Sequence, residues 1–421
     1  MMETMALLPG IRLHCYRDNR FKQGCLSIQF LRKMSGGEAA LNALLPSVLL
    51  RGTTRHPDLR AITLALDDLY GAAVSPLVRR VGDCQTTGLY CSMMDDRFAL
   101  PGDRVLEPML AFLEELLLEP LTEGDAFLPE FVESEKVNLI SAIESELNDK
   151  RTYAMGKLLK LLCRNDSYGL SRMGEPEQVA AIEPGALYRH YRTVLRTSSV
   201  ELIYVGSAEP ETVAGLLRPM FLRLDRCPEA PPPQTDLAPA GPEDETEELE
   251  VSQGKLCMGF TTPITNRRKE FAAMQIMNTV FGSGMTSKLF RVVRERLSLC
   301  YSIGSGYYGS KGVILVSAGI DFDKEQHVRR EVLNQLDACR RGDISPEELT
   351  AAREALISGL RSTHDSPGAI ESYYSSALIG GLRMTPEEYI RALEAVTPED
   401  VVAAAGTVEL HSSYFLKGVS Q

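Results

Sequence analysis

The chain has 421 residues, 44% apolar and 24% charged, the balance of a folded protein too long for one ordinary core, so two or three domains are expected. A formal net charge of −12 argues against nucleic acid or an anionic membrane surface as a partner, because such a field repels phosphates, although a local basic patch is compatible with it. No run approaches the roughly 18 apolar residues of a membrane span, and the stretch from Met1 to Gly10 lacks the basic and apolar regions of a secretory signal.

In chain order, residues 13–31 predict strands broken at Asp18-Asn19, with apolar and polar residues alternating from Gly24 to Phe30. Residues 38–50 predict an apolar helix with Pro46 inside it, closed by Gly52-Thr53-Thr54. A second helix over 58–69 and a hairpin over 70–94 come next, then amphipathic helices over 105–118 and 128–147 separated by a break at 120–123. Residues 180–194 predict a helix and 200–206 a strand. The composition then shifts. From Cys227 to Glu248 proline and acid dominate, and few large apolar groups remain to bury, so this stretch is expected as a linker. The domains are accordingly expected at 1–225 and 249–421, joined by 226–248.

Past the linker, residues 256–262 are expected as an edge strand opening a second sheet, with Arg267, Arg268 and Lys269 in the turn after it. Gly282-Ser283-Gly284 with Thr286 and Ser287 supplies a loop and two candidate N-caps. A helix comes after it, because Leu289, Val292, Val293 and Leu297 recur at helical spacing and leave Arg291, Arg294, Glu295 and Arg296 for other faces. Residues 301–308 then predict a strand of small and aromatic residues, with 312–318 returning beside it. The paired glycines do not satisfy the phosphate-loop spacing and read as a structural turn. Glu133, Glu135, Glu144 and Glu146 lie along one helix beside Lys136 and Lys150, which reads as a solvated charged face rather than a cation site.

The residues beyond the linker repeat those before it. Residues 272–294 match 39–64, 298–305 match 68–75, 355–362 match 138–145, and Arg383-Met384 with its helix matches Arg172-Met173. Four matches in one order imply a duplicated α+β chain, each half an antiparallel sheet of about five or six strands packed by helices.

Gly-Ser-Gly-Met-Thr-Ser-Lys-Leu-Phe-(x)3-Arg-Glu-(x)5-Tyr-Ser, running from Gly282 to Ser302 in the second copy of such a duplication, resembles the pitrilysin/insulinase (inverzincin) zinc metallopeptidases. The resemblance spans about Leu13 to Leu416 and is strongest to the two-domain bacterial and processing-peptidase type. It implies that Arg294 and Tyr301 are the substrate-binding pair of the second half, the arginine meeting a carbonyl or carboxylate and the phenol a developing oxyanion. The plainer reading is an exposed helix arginine and a sheet-packing tyrosine.

The family's His-x-x-Glu-His, two zinc ligands and a general base on one helix, belongs ahead of Gly52-Thr53. Those places hold Ala43, Leu44, Leu45, Pro46 and Ser47, and the later glutamate ligand, counted from Glu135, falls at Ala142. His14, His56, His190, His327, His364 and His411 are scattered, with no two within a helical turn. No catalytic residue, metal ligand or cofactor is therefore expected in this chain, and zinc is expected only in a catalytic partner.

The resemblance implies a non-catalytic subunit that completes the peptide chamber of an HxxEH-bearing homologue. The alternative is a homodimeric peptide-binding or scaffold protein without proteolysis. Residues 301–308 suit an extended peptide added at a sheet edge. Nine scattered cysteines without a CxxC or CxxxC pair suggest buried thiols of a reducing compartment, and the chain is expected in the cytoplasm.

Overall fold

The computed structural model describes residues 2–419. Strands β1 (Met2–Leu8) and β2 (Ile11–Arg17) form a hairpin about Gly10, whose φ of +72° suits glycine and whose missing Cβ leaves room for Pro228. Strand β3 (Gln23–Lys33) leads to helix α1 (Ala39–Leu49). Helix α2 (Leu59–Asp68) starts where the Asp58 carboxylate accepts from the Ala61 N–H, and β4 (Ala73–Val81) pairs with β5 (Cys84–Met94). Helix α3 (Leu106–Leu118) precedes the short pair β6 (Thr122–Glu123) and β7 (Ala126–Phe127), then α4 (Pro129–Asn148) and α5 (Lys150–Leu162), the last capped by Asp149. The expected helix over 180–194 is two helices, α6 (Pro176–Ala180) and α7 (Pro184–Thr197), because Pro184 fits the first helical turn and not an interior. Strand β8 (Ser199–Gly206) and α8 (Pro210–Leu222) complete this half of the sequence.

The acidic stretch 226–248 is not irregular throughout: β9 (Asp244–Leu249) begins within it. Strand β10 (Gly254–Thr261), helix α9 (Phe271–Phe281), a π-helix (Leu289–Arg296), β11 (Ser302–Tyr308) and β12 (Val313–Ile320) come next. Helices α10 (Glu325–Arg340), α11 (Pro346–Ser362), α12 (Pro367–Gly380), α13 (Pro386–Ala395) and α14 (Pro398–Gly406) precede β13 (Glu409–Gly418). α11, α13 and α14 share one sequence cause: Ser345, Thr385 and Thr397 cap them, proline holds the first turn, and Glu348, Glu388 and Asp400 close capping boxes.

The strands form a six-stranded sheet ordered β1-β2-β8-β3-β5-β4 and a five-stranded sheet ordered β11-β12-β10-β13-β9. Reading the second backwards gives β9-β13-β10-β12-β11, which matches β2-β8-β3-β5-β4 strand for strand. The parallel pairs also correspond, β2 with β8 and β9 with β13, in sheets otherwise antiparallel. The duplication expected from the sequence is thus present in the topology, with β1 as an addition to the first copy. One expectation is corrected: the strand at 256–262 pairs with both β12 and β13, so β10 is interior, as its fully apolar Leu256, Met258 and Phe260 face requires.

The compact units do not follow the two halves of the sequence. The first comprises Met1–Glu144, Leu170–Pro233 and His364–Ile379; the second comprises Ser145–Gly169, Gln234–Thr363 and Gly380–Gln421. In the first unit, Leu26, Ile28 and Phe30 of β3 enter the large core with residues of α1, α3, α7 and α8. Its opposite face is covered by α12, where Ile370 and Tyr374 meet Cys25 and Val205. Gln29 accepts from Ser375 Oγ at 3.0 Å and donates to Ser27 Oγ at 3.0 Å and Glu371 Oε1 at 3.3 Å. Arg79 on β4 grips the fully buried Glu371 with two bonds of 2.9 and 2.8 Å. The second unit mirrors this with α5: Ala154, Leu158, Leu161 and Leu162 cover Cys257, Val313, Leu315, Tyr414 and Leu416. Gly259 leaves room for that layer, since a Cβ there would come within 2.7 Å of Leu162. α5 and α12 are equivalent in the repeat, and each packs on the sheet of the other half's sequence.

Removing Arg79 leaves the Glu371 carboxylate buried with only an amide donor. Arg79→Ala is expected to destabilise the first unit by about 3–5 kcal/mol, read by denaturant titration, with Arg79→Ala/Glu371→Gln recovering most of that loss.

Candidate functional site

Helix α1, where the resemblance places a metal-binding motif, stands against β4 and β5. Ala43 and Pro46 are buried and Ser47 is half-buried, while Ala142 is exposed on α4. Alanine and proline offer no donor atom and the neutral Ser47 hydroxyl is a poor one, so the side chains at these four positions do not fit a zinc ion. Glu135, the landmark for the missing ligand, pairs with Arg51 at 3.2 Å. Among the described residues, no group of three or more His, Cys, Asp or Glu is placed to hold a metal ion.

Polar chemistry of a different kind occupies the inner side of α1. A proline at position 46 carries no N–H, which leaves the Asn42 carbonyl without its helical donor. The Thr87 hydroxyl on β5 supplies one at 2.7 Å. Asn42 itself donates to Gln85 Oε1 at 2.9 Å and accepts from His190 Nε2 at 2.8 Å, and Gln85 donates to the carbonyls of Ala39 at 3.0 Å and Arg172 at 2.7 Å. Burial is the largest cause pushing the His190 pKa down to about 4, so the ring is neutral, with Nε2 carrying its hydrogen toward Asn42. Pro46, which by the sequence alone costs a helix bond, is therefore accommodated by a neighbouring strand. The signal was present in Gln85-Thr86-Thr87, a polar run inside a strand, but its partners were not legible.

In the second unit the structure brings Arg294 and Tyr301 together. The π-helix widens the last turns, with Leu297 N–H reaching the Val292 carbonyl at 3.0 Å, and Arg294 lies 4.5 Å from the Phe290 ring centroid. Arg294 Nε donates to the Tyr301 carbonyl at 3.0 Å, and its Nη1 lies 3.5 Å from Glu295 Oε1. The Tyr301 side chain is exposed, and its hydroxyl donates to Asp321 Oδ1 at 2.8 Å, which raises the phenol's pKa and keeps it protonated. The phenol hydrogen is thus engaged, as is Arg294 Nε, while Nη1 lies beside the Glu295 carboxylate. Phe290 and Asp321, which orient this pair, were missed because neither carries its role in local spacing. β11 is outermost in its sheet, as an added peptide strand requires, but its Ser305 N–H already donates to the Gly282 carbonyl at 2.8 Å. Of the expected caps, Ser287 accepts from the Phe290 N–H at 3.3 Å.

A duplicated α+β chain with an emptied metal motif on α1 and an assembled arginine–tyrosine pair beyond α9 defines an inactive metallopeptidase-like protein. The family profile described as "Peptidase M16 inactive domain" matches residues 181–356. A Bacillus subtilis protein named "Probable inactive metalloprotease YmfF" is 29% identical over 409 residues, covering 97% of this chain and 96% of that one. A conserved protein from Enterococcus faecalis superposes with a TM-score of 0.91 at 25% identity, covering 100% of this chain and 99% of the other. A Pseudomonas fluorescens structure titled as a peptidase M16 inactive domain has a TM-score of 0.81 at 16% identity, covering 100% and 98%. Over nearly its whole length the chain is thus similar to inactive-type proteins of the M16 metallopeptidase kind.

Two measurements check the network on α1. Thr87→Val is expected to cost about 1–3 kcal/mol by orphaning the Asn42 carbonyl, and clearly less in a Pro46→Ala background, where alanine restores a backbone donor. Because the folded His190 pKa lies below its unfolded value near 6.5, its contribution to stability is complete above that value and is lost as pH falls through about 4. The loss should be on the order of 3 kcal/mol, and denaturation midpoints of a His190→Gln variant should lack this part of the acid slope.

Proposed function

We propose that the chain is the non-catalytic subunit of a heterodimeric zinc metallopeptidase, pairing with a homologue that carries an intact HxxEH motif and completing the chamber that holds a peptide. Zinc and the general base then belong to the partner alone. The observation that carries this reading is the asymmetry between the two copies. Ala43, Pro46, Ser47 and Ala142 leave the first copy without the metal-binding donor set, whereas the second keeps Arg294 and Tyr301 side by side with supporting residues. A pure scaffold has no need of a half-buried guanidinium held by a ring and a carbonyl. In this role the Nη groups of Arg294 meet a peptide carbonyl or carboxylate, and Tyr301 contacts the same peptide. No disulfide joins cysteines among the described residues, which supports a reducing compartment and hence the cytoplasm. No helix among the described residues is long and apolar enough to cross a membrane.

Capture of the tagged chain from its native lysate, followed by native mass measurement, tests the partnership. A one-to-one complex with an HxxEH chain is expected, and self-association alone would replace the peptidase role with that of a homodimeric binding or scaffold protein. In the reconstituted pair, Arg294→Ala is expected to lower peptide turnover by about tenfold or more without unfolding either chain. Unchanged turnover would make Arg294 structural.

A further inference from the structure

The outer strands of the six-stranded sheet hold an arrangement that the partner role does not use. β1 and β2 pair so that Thr4 stands opposite His14, and β2 runs beside β8 so that Arg12 stands opposite Glu201. Alternate residues of a strand share a face, so Arg12 and His14 both reach the Glu201 carboxylate. His14 and Glu201 are each only 1% exposed. His14 Nε2 lies 2.7 Å from Glu201 Oε2, and its Nδ1 lies 2.8 Å from the Thr4 hydroxyl. Glu201 Oε1 is taken by Arg12, from Nε at 3.0 Å and from Nη2.

A carboxylate only accepts, so Nε2 carries a ring hydrogen, and in the neutral ring the Nδ1 lone pair then faces Thr4 Oγ1. Thr4 is exposed, on the outermost strand. An accessible hydroxyl, an imidazole with its lone pair on that hydroxyl, and a buried carboxylate on the far nitrogen stand as nucleophile, base and orienting group stand in acyl transfer. The second histidine–glutamate pair lacks this order. His56 Nδ1 lies 2.7 Å from Glu115 Oε1, but Thr53 donates to that same carboxylate instead of meeting the ring.

We propose that Thr4 is an acyl-accepting nucleophile toward small activated esters and thioesters, with His14 as its base and Glu201, held by Arg12, as the positioning residue. The Thr4 oxygen bonds to the acyl carbon as its proton passes to His14 Nδ1. The C–O or C–S bond to the leaving group then breaks, the electron pair departs with that group, and the imidazolium beside Glu201 gives up its proton to the leaving group or to water. The product is an O-acyl threonine, formed without zinc or a partner chain.

The test incubates the full chain with p-nitrophenyl acetate and maps acetyl groups by peptide mass spectrometry over time. Acetylation of Thr4 is expected at least about tenfold faster than at any other exposed serine or threonine hydroxyl of the same chain. It should be retained in Thr4→Ser, lost in Thr4→Val, and slowed by at least about tenfold in His14→Gln. Labelling of Thr4 no faster than of other exposed hydroxyls overturns the proposal, and so does equal labelling in a folded His14→Gln variant. The comparison within the wild-type chain decides the matter if that variant does not fold.

Discussion

A carboxylate withdrawn from water has to meet a cation or several donors, and Glu371 does so in the middle of a sheet face. Its two bonds to Arg79 and its contact with Gln29 fix α12 against β3 and β4, and with α12 in place the Cys25, Ser27 and Gln29 side of the strand is sealed. Each sheet then lies between helices on both faces. Cover on both sides explains why β8 and β12 are buried along their whole lengths, since a strand of a one-sided sheet would alternate.

How much of this could be read beforehand depended on distance along the chain. Helix α2, the β4–β5 hairpin and the strand at 200–206 are dictated by neighbouring residues, and all are present. The repeat was legible because the second copy keeps the order of the first. The alternation of Leu26, Ile28 and Phe30 with Ser27 and Gln29 signals a strand wet on one side, yet Ser375 and Glu371, far along the chain, meet the polar side. The π-helix escaped notice for a related reason: Leu289, Val292 and Val293 fit an ordinary helix as well, and only hydrogen bonding one residue longer tells the two apart. At α1, residue type alone marks Ala43, Pro46 and Ser47 as poor metal ligands, but the use of Thr87 to satisfy the Asn42 carbonyl was not legible.

That bonding shows how a helix can take an interior proline and keep its place. Pro46 would break a helix whose carbonyl had nowhere else to turn, but the strand beneath supplies a hydroxyl, and Asn42, Gln85 and His190 extend the bonding into the core. In the second copy, Arg294 and Tyr301 are held by Phe290, Asp321 and a backbone carbonyl, none of which requires a metal.

The exchange of α5 and α12 bears on ancestry. A polypeptide of half this length would expose one face of its sheet, because the helix that should cover it is committed to the opposite sheet. Such a half-sized ancestor would be stable only as a swapped dimer, its assembly limited by encounter between chains. Joining two such copies through an acidic connector makes that encounter intramolecular and replaces dependence on concentration with a tether.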